Sequence, residues 1–253
     1  MDRRKFLGIA AGASALAIAG SALPKVIGGG SEGGTEPSSA VRWAMVIDPS
    51  KCLKKDGCTA CMDACDKIHN IPDFHDPKHE VKWIWKEPFE NAFPEQENKF
   101  TAEKFKDKPF ILLCNHCDNP PCVRVCPTQA TWKREDGIVM MDWHRCIGCR
   151  YCMAACPYGS RSFNWLDPRT HIERMDPGFP TRTKGVVEKC TLCEERIARG
   201  EKPACVEACP EKAMVFGNLS DPKSEARQLL QERYSIRRKP ELGTQPEVYY
   251  LID

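Results

Sequence analysis

Every cysteine of this 253-residue chain, sixteen in all, falls into one of four blocks of four. The first is Cys52, Cys58, Cys61 and Cys65, and the second is Cys114, Cys117, Cys122 and Cys126. The third is Cys146, Cys149, Cys152 and Cys156, and the last is Cys190, Cys193, Cys205 and Cys209. Thiolates are the soft ligands that take iron or zinc. Four of them within one short stretch is the ligand number of a cubane iron–sulfur cluster. The blocks therefore predict four [4Fe–4S] clusters, iron bound by all sixteen cysteines, and one-electron chemistry.

Spacing sharpens this. The third block reads C-I-G-C-R-Y-C-M-A-A-C-P, the C-x2-C-x2-C-x3-C-P run of bacterial ferredoxins. Three thiolates from one loop wrap a cluster; the fourth is expected to open a helix leading away and to serve the neighbouring cluster. Pro127, Pro157 and Pro210 follow the fourth cysteine of blocks two to four, where a missing N–H is harmless. Block one has Asp66 there. Its first gap is stretched to C-x5-C, while blocks two and four contain C-x4-C and C-x11-C. These insertions lengthen loops and remove no ligand. Disulfides would not repeat C-x2-C…C-x3-C four times, and structural zinc favours paired C-x2-C halves. No C-x-x-C is followed by His, which argues against covalent haem.

The elements between blocks suggest which blocks cooperate. Ala130–Lys133 and Ile138–Asp142 read as strands joined by a turn at Glu135-Asp136-Gly137. A hairpin between two blocks is the core of a two-cluster module. Cys114, Cys117 and Cys122 are then expected to share a cluster with Cys156, and Cys146, Cys149 and Cys152 with Cys126. Blocks one and four remain for each other. Trp43–Asp48 before the first and Ala213–Gly217 after the last look like outer strands of one module, paired across the sequence. That predicts Cys52, Cys58, Cys61 with Cys209, and Cys190, Cys193, Cys205 with Cys65. Pairing block one with two and three with four is the alternative, against which the hairpin argues.

The amino terminus, Met1-Asp2-Arg3-Arg4-Lys5-Phe6-Leu7, is a twin-arginine n-region followed by a weakly apolar Gly/Ala stretch. Residues 1–22 are read as an export signal with a small-residue cleavage site at Gly20-Ser21-Ala22, the competing reading being an uncleaved anchor. A chain that receives its clusters in the cytoplasm must cross the membrane folded, so the two features explain each other. The expected location is the periplasm or the outer face of the cytoplasmic membrane. Residues 23–40 form a Gly/Ser tether. The net charge of +2 is accounted for by Arg3, Arg4 and Lys5 against Asp2, so nothing suggests nucleic acid. No later segment is long and apolar enough to span a bilayer, which leaves membrane contact to a partner.

The architecture expected is α+β: two interleaved bacterial-ferredoxin-like 2[4Fe–4S] modules with loop insertions. One comprises residues 41–70 with 186–219, the other 111–160. Between them lie an aromatic-rich insertion, 71–110, read as a solvated cap or a docking surface, and an irregular connection, 161–185. Residues 220–253 are a helix from Asp221-Pro222 to about Tyr234, a solvated turn at Arg237-Arg238-Lys239, and a strand from Val248 to Ile252. Clusters are expected to take over much of the work of a hydrophobic core. His69, His75 and His79 are weak ligand candidates, and His116 and His144 could tune a neighbouring cluster or only pack. No nucleophile–base pair, phosphate loop or dinucleotide fingerprint is present, so no catalytic residue is assigned.

The block order, Cys114-Asn115-His116-Cys117-Asp118-Asn119-Pro120-Pro121-Cys122 and Gly148-Cys149-Arg150-Tyr151-Cys152 resemble the iron–sulfur subunits of the dimethyl-sulfoxide-reductase type. The resemblance implies a double ferredoxin fold, clusters strung in a line and the ligand sharing given above. With the signal, Lys54–Cys58, Phe179–Cys190 and the Arg237-to-Tyr250 tail, it is most similar to exported subunits associated with sulfite reduction. These imply an integral membrane quinone-binding subunit and a multi-haem cytochrome c as partners. The same pattern also serves molybdopterin oxidoreductases, and zinc or disulfides in an exported binding protein remain the reading of another class.

Overall fold

The computed structural model describes residues 41–252 apart from 98, 101, 102 and 104; the export signal and tether read in the sequence lie outside them. Strand β1, Trp43–Ile47, is an unbroken apolar run, the pattern of a strand covered on both faces. It is central in a four-stranded sheet, with β8 (Met214–Asn218) on one side and β10 (Val248–Leu251) then β9 (Ser235–Ile236) on the other. On one side it pairs antiparallel with β8, Met214–Asn218, from Trp43↔Asn218 to Ile47↔Met214. The two flanking strands therefore meet across some 170 residues of sequence. On its other side β10, Val248–Leu251, runs parallel to it, and β9, Ser235–Ile236, closes the edge.

Helix α8, Glu225–Glu232, covers this sheet through Ala226, Leu229 and Leu230 against Val46 and Leu251. It starts later than expected. The Asp221 carboxylate accepts the Lys223 N–H in a local turn, so Pro222 sits before the helix and Ser224 takes the N-cap position. Tyr234 is also outside, because Arg233 is already extended and leads into β9.

The insertion is not a solvated cap. Strand β2, Ile84–Pro88, pairs antiparallel with β3, Pro109–Leu113, and a single turn of helix, α3 (Phe89–Ala92), follows β2. Trp83, Trp85, Phe89, Phe93 and Phe110 are buried in the largest apolar cluster of the molecule, together with Tyr250 from the tail. Ring centroids there lie 5.0–6.2 Å apart, the spacing of mutually packed aromatics. The chain thus has a true hydrophobic core, and cluster ligation does not have to replace one. Arg238 departs from its reading as well. It is buried and donates to the Ala92 carbonyl at 3.0 Å, while its guanidinium lies 5.4 Å from the Tyr158 ring. The tail is bolted to the insertion by that side chain.

A second, smaller core lies under the hairpin β4, Thr131–Lys133, and β5, Val139–Met141. Its turn needs a positive φ, which Gly137 supplies at +87°. At the start of the connecting segment β6 (Ser162–Phe163) pairs with β7 (Val187–Glu188), just beyond its end, which delivers the chain to block four.

Candidate cluster-binding site

Each cysteine block is a tight loop followed by a short helix. In blocks two to four the helix carries the third cysteine: Cys122 on α4 (Pro121–Arg124), Cys152 on α5 (Tyr151–Ala155) and Cys205 on α7 (Ala204–Glu207). The fourth cysteine lies just beyond that helix and does not open a new one. The proline after it disfavours helical backbone at the preceding residue, so the helix ends there. A left-handed residue three places after the fourth cysteine then turns the chain: Gln129, Gly159 and Lys212 have φ of +53°, +65° and +49°. Block one, with Asp66 in place of proline, lacks this stop. Its helix α2, Ala60–Ile68, runs on through Cys61 and Cys65. Asp66 is left half-buried, and burial, then Asp63, Asp73 and Glu80, push its carboxyl up to about 7.

Positive φ also occurs inside the loops, at His116, Gly148, Arg150, Leu192 and Cys193. Such kinks turn backbone N–H groups towards a common anion, the property that sulfur-rich sites use. Some already meet sulfur. The N–H groups of Leu192, Ala204 and Ala213 donate to the Sγ atoms of Cys190, Cys193 and Cys209 at 3.2–3.3 Å. At Gly148 no side chain would fit, since a Cβ would lie 2.4 Å from the Gly185 carbonyl oxygen.

The thiols, all unpaired, gather from distant blocks. Cys52, Cys58, Cys61 and Cys209 line one small cavity; Cys114, Cys117, Cys122 and Cys156 line another. Two cavities with the same four-thiol lining suit the same occupant. Cys65 is buried, its thiol pushed well up by burial and then by Cys190, Cys205 and Cys193. Cys126, Cys146 and Cys152 share the small core under the hairpin, with Cys149 half-buried in the same loop as Cys146 and Cys152. The sets also adjoin in series. After burial, Cys61 is among the groups raising the Cys205 thiol, Cys114 helps push Cys190 up to about 12, and Cys122 helps raise Cys152.

Buried thiols this close together cannot all ionise by themselves. Cys61 is pushed up to about 11, and Cys117 and Cys193 to about 12, by burial first and neighbouring cysteines next. A polynuclear cation in the cavity reverses that balance, because a coordinated thiol is deprotonated outright. The lining fits such a group in a second respect. Asn115 is buried on the Cys114 cavity with both side-chain polar atoms lacking a partner. Inorganic sulfide would give its N–H donors an acceptor.

The histidines separate into two kinds. His116 is buried, accepts the Val139 N–H on Nδ1 at 3.1 Å and acts on Cys114, while His144 is exposed. His69 is also buried; its Nδ1 is 3.0 Å from the Cys65 carbonyl oxygen and 3.5 Å from Cys65 Sγ, and its Nε2 is 3.2 Å from Glu195. His75 and His79 pair with aspartates of their own loop. Sequence reading missed the buried charges: Arg161, Lys189, and the Arg182–Glu188 pair. The available signal was Glu188-Lys189 abutting Cys190 directly after the apolar Val186-Val187.

Loops that gather buried and half-buried thiols in fours, with no catalytic constellation among the described residues, define an iron–sulfur electron carrier. Comparison with known proteins agrees. A family model described as a 4Fe-4S dicluster domain matches residues 109–172 and 177–219. An Hdr-like menaquinol oxidoreductase iron-sulfur subunit 1 of Archaeoglobus fulgidus is 42% identical over 273 residues, covering 99% of this chain and 97% of that one. The menaquinone reductase iron-sulfur cluster-binding subunit of Nitratidesulfovibrio vulgaris is 39% identical over 237 residues (83% and 89%). The arsenate respiratory reductase iron-sulfur subunit ArrB of a Shewanella strain is 36% identical over 242 residues (83% and 96%). The chain belongs to this family of [4Fe–4S] ferredoxin-type subunits of respiratory oxidoreductases. It carries electrons within a complex and is not an enzyme on its own.

Proposed function

We propose that this chain holds four [4Fe–4S] clusters in two interleaved ferredoxin-like modules and works as the exported electron wire of a membrane-bound quinone-linked complex. Cys52, Cys58, Cys61 and Cys209 hold cluster 1; Cys65, Cys190, Cys193 and Cys205 hold cluster 2. Cys114, Cys117, Cys122 and Cys156 hold cluster 3; Cys126, Cys146, Cys149 and Cys152 hold cluster 4. When bound, each cluster supplies a one-electron carrier whose potential the protein sets. The observation that carries the reading is the meeting of thiols from separate blocks in shared cavities, Cys209 with Cys52, Cys58 and Cys61, and Cys156 with Cys114, Cys117 and Cys122. It supports ligand sharing between blocks one and four and between blocks two and three.

The menaquinol oxidoreductase and menaquinone reductase relatives support a quinone-binding membrane subunit at one end. The motifs shared with DsrO, the iron–sulfur subunit of the DsrMKJOP complex of sulfur-compound metabolism, support a multi-haem cytochrome c partner and a role in sulfite or sulfate respiration. The twin-arginine segment supports an outward-facing location. A molybdopterin oxidoreductase is the second setting, favoured by the likeness to the arsenate reductase subunit. Anaerobic purification of the native complex tests all of this. About sixteen iron and sixteen acid-labile sulfide per chain are expected, with a polytopic membrane subunit and a c-type cytochrome in the same preparation. A molybdopterin subunit in their place selects the second setting. Folded, iron-free protein refutes both.

A further inference from the structure

Two cations are buried where cluster sites adjoin, and electron transfer as described so far makes no use of them. Arg161, 5% exposed, lines the cavity of Cys114, Cys117, Cys122 and Cys156. Its guanidinium donates to Thr131 Oγ1 at 2.9 Å and contacts Met141 Sδ at 3.8 Å; Cys122 lines the same cavity and Met141 packs in one cluster with Cys152, so the cation lies between ligands of two different sets. Lys189, wholly buried, donates from Nζ to the Cys190 carbonyl at 2.6 Å and to the carbonyl of Val139, a residue of that same cavity wall. Its charge acts on both Cys114 and Cys190.

No carboxylate hydrogen-bonds to either cation among the described residues, so neither charge is cancelled where it sits. The Cys65 set differs: there a carboxylate stands close by, Glu195 Oε1 lying 3.2 Å from the ring of His69, which meets Cys65 Sγ at 3.5 Å.

We infer that Arg161 and Lys189 are potential-setting residues, which flank the Cys114/Cys117/Cys122/Cys156 site from its two neighbours and make its cluster the most easily reduced of the four. The inference rests on the cluster reading above. Adding an electron to a cluster adds a negative charge, and a fixed cation in a low-dielectric interior favours that state. Arg161 also faces the Cys126/Cys146/Cys149/Cys152 site, so it lifts two potentials, and Lys189, held between the carbonyls of Cys190 and Val139, lifts those of clusters 2 and 3.

Redox-titrated electron paramagnetic resonance on the full chain matured anaerobically reads this directly. In Arg161→Gln, with iron and sulfide content unchanged, two of the four midpoints are expected to fall while two stay. The larger shift should be at least tenfold in the reduction equilibrium, about 59 mV for one electron. In Lys189→Gln two midpoints should fall as well, and the one signal that moves in both variants identifies cluster 3. Arg161→Lys keeps the charge and is expected to move less than half as far. A structural role alone would change iron content or melting temperature and leave midpoints in place. Unmoved midpoints in iron-replete Lys189→Gln or Arg161→Gln overturn the inference, as does an equal fall in all four. Wild-type protein without four iron signals would instead refute the cluster reading, and so the two failures are distinguishable.

Discussion

Arg182 and Glu188 form an ion pair at 2.6 Å with both side chains fully buried. Its surroundings tie four segments together. Glu188 accepts the Trp83 indole N–H at 3.2 Å and the Asn164 amide, while Arg182 donates to the carbonyls of His69, Asn70 and Pro180. The guanidinium lies 5.3 Å and 5.6 Å from the Trp83 and Trp143 rings. His69 and Asn70 follow the helix of block one, and Glu188 stands two residues before Cys190. Arg182→Met keeps bulk and removes charge, leaving Glu188 in the interior without its cation. Breaking a buried pair in this way costs about 3–5 kcal/mol. For a fold of this size that is a fall in melting temperature of about 6–20 °C. Removing both charges together, in Arg182→Met/Glu188→Gln, is expected to recover most of the loss, since Gln still accepts from Trp83 and no lone charge remains. Anaerobic calorimetry of the cluster-replete protein measures both. A single variant within about 1 kcal/mol of wild type refutes the reasoning; so does a double variant no more stable than the single.

Three further outcomes follow from the same structure. Cys156→Ser should perturb the resonance signal of the cluster held mainly by block two; a change confined to the block-three signal would reverse the ligand sharing. Gly148→Ala should lose the block-three cluster, because a Cβ meets the Gly185 carbonyl oxygen at 2.4 Å and φ is +70°; an iron-replete variant with an unaltered spectrum would contradict it. At Asp48 burial opposes ionisation, but hydrogen bonds from Arg233, Ser50 and the Lys51 N–H outweigh it and hold the carboxyl below its ordinary value. The unfolded state therefore takes up its proton at higher pH than the folded state. The stabilisation is present above the unfolded value and is lost as pH falls through the folded one. Asp48→Asn should narrow the stability gap between pH 6 and about pH 3; an unchanged acid profile in denaturant titrations would count against the assignment.

The chemistry was legible in the sequence because cysteine spacing is a local property. Four thiols within a few turns of chain announce a metal whatever surrounds them, and the Ala130–Asp142 hairpin and the apolar run at Trp43–Ile47 follow from periodicity alone. Helix limits were less legible. A proline marks where a helix cannot continue, and only the backbone showed that it ends the helix carrying the third cysteine. The burial of long-range partners was not legible at all. Trp83, Phe93 and Arg238 look like surface residues of a charged, proline-rich stretch until β2, β3 and the tail close over them. The same holds for Lys189 and Arg161, because a charge gains its influence from what excludes water around it, and those walls come from Val139, Thr131 and Cys122, far away in the chain. Sequence determined which thiols are grouped in fours for a metal; tertiary structure decided which of those thiols are neighbours and what electrostatic field they share.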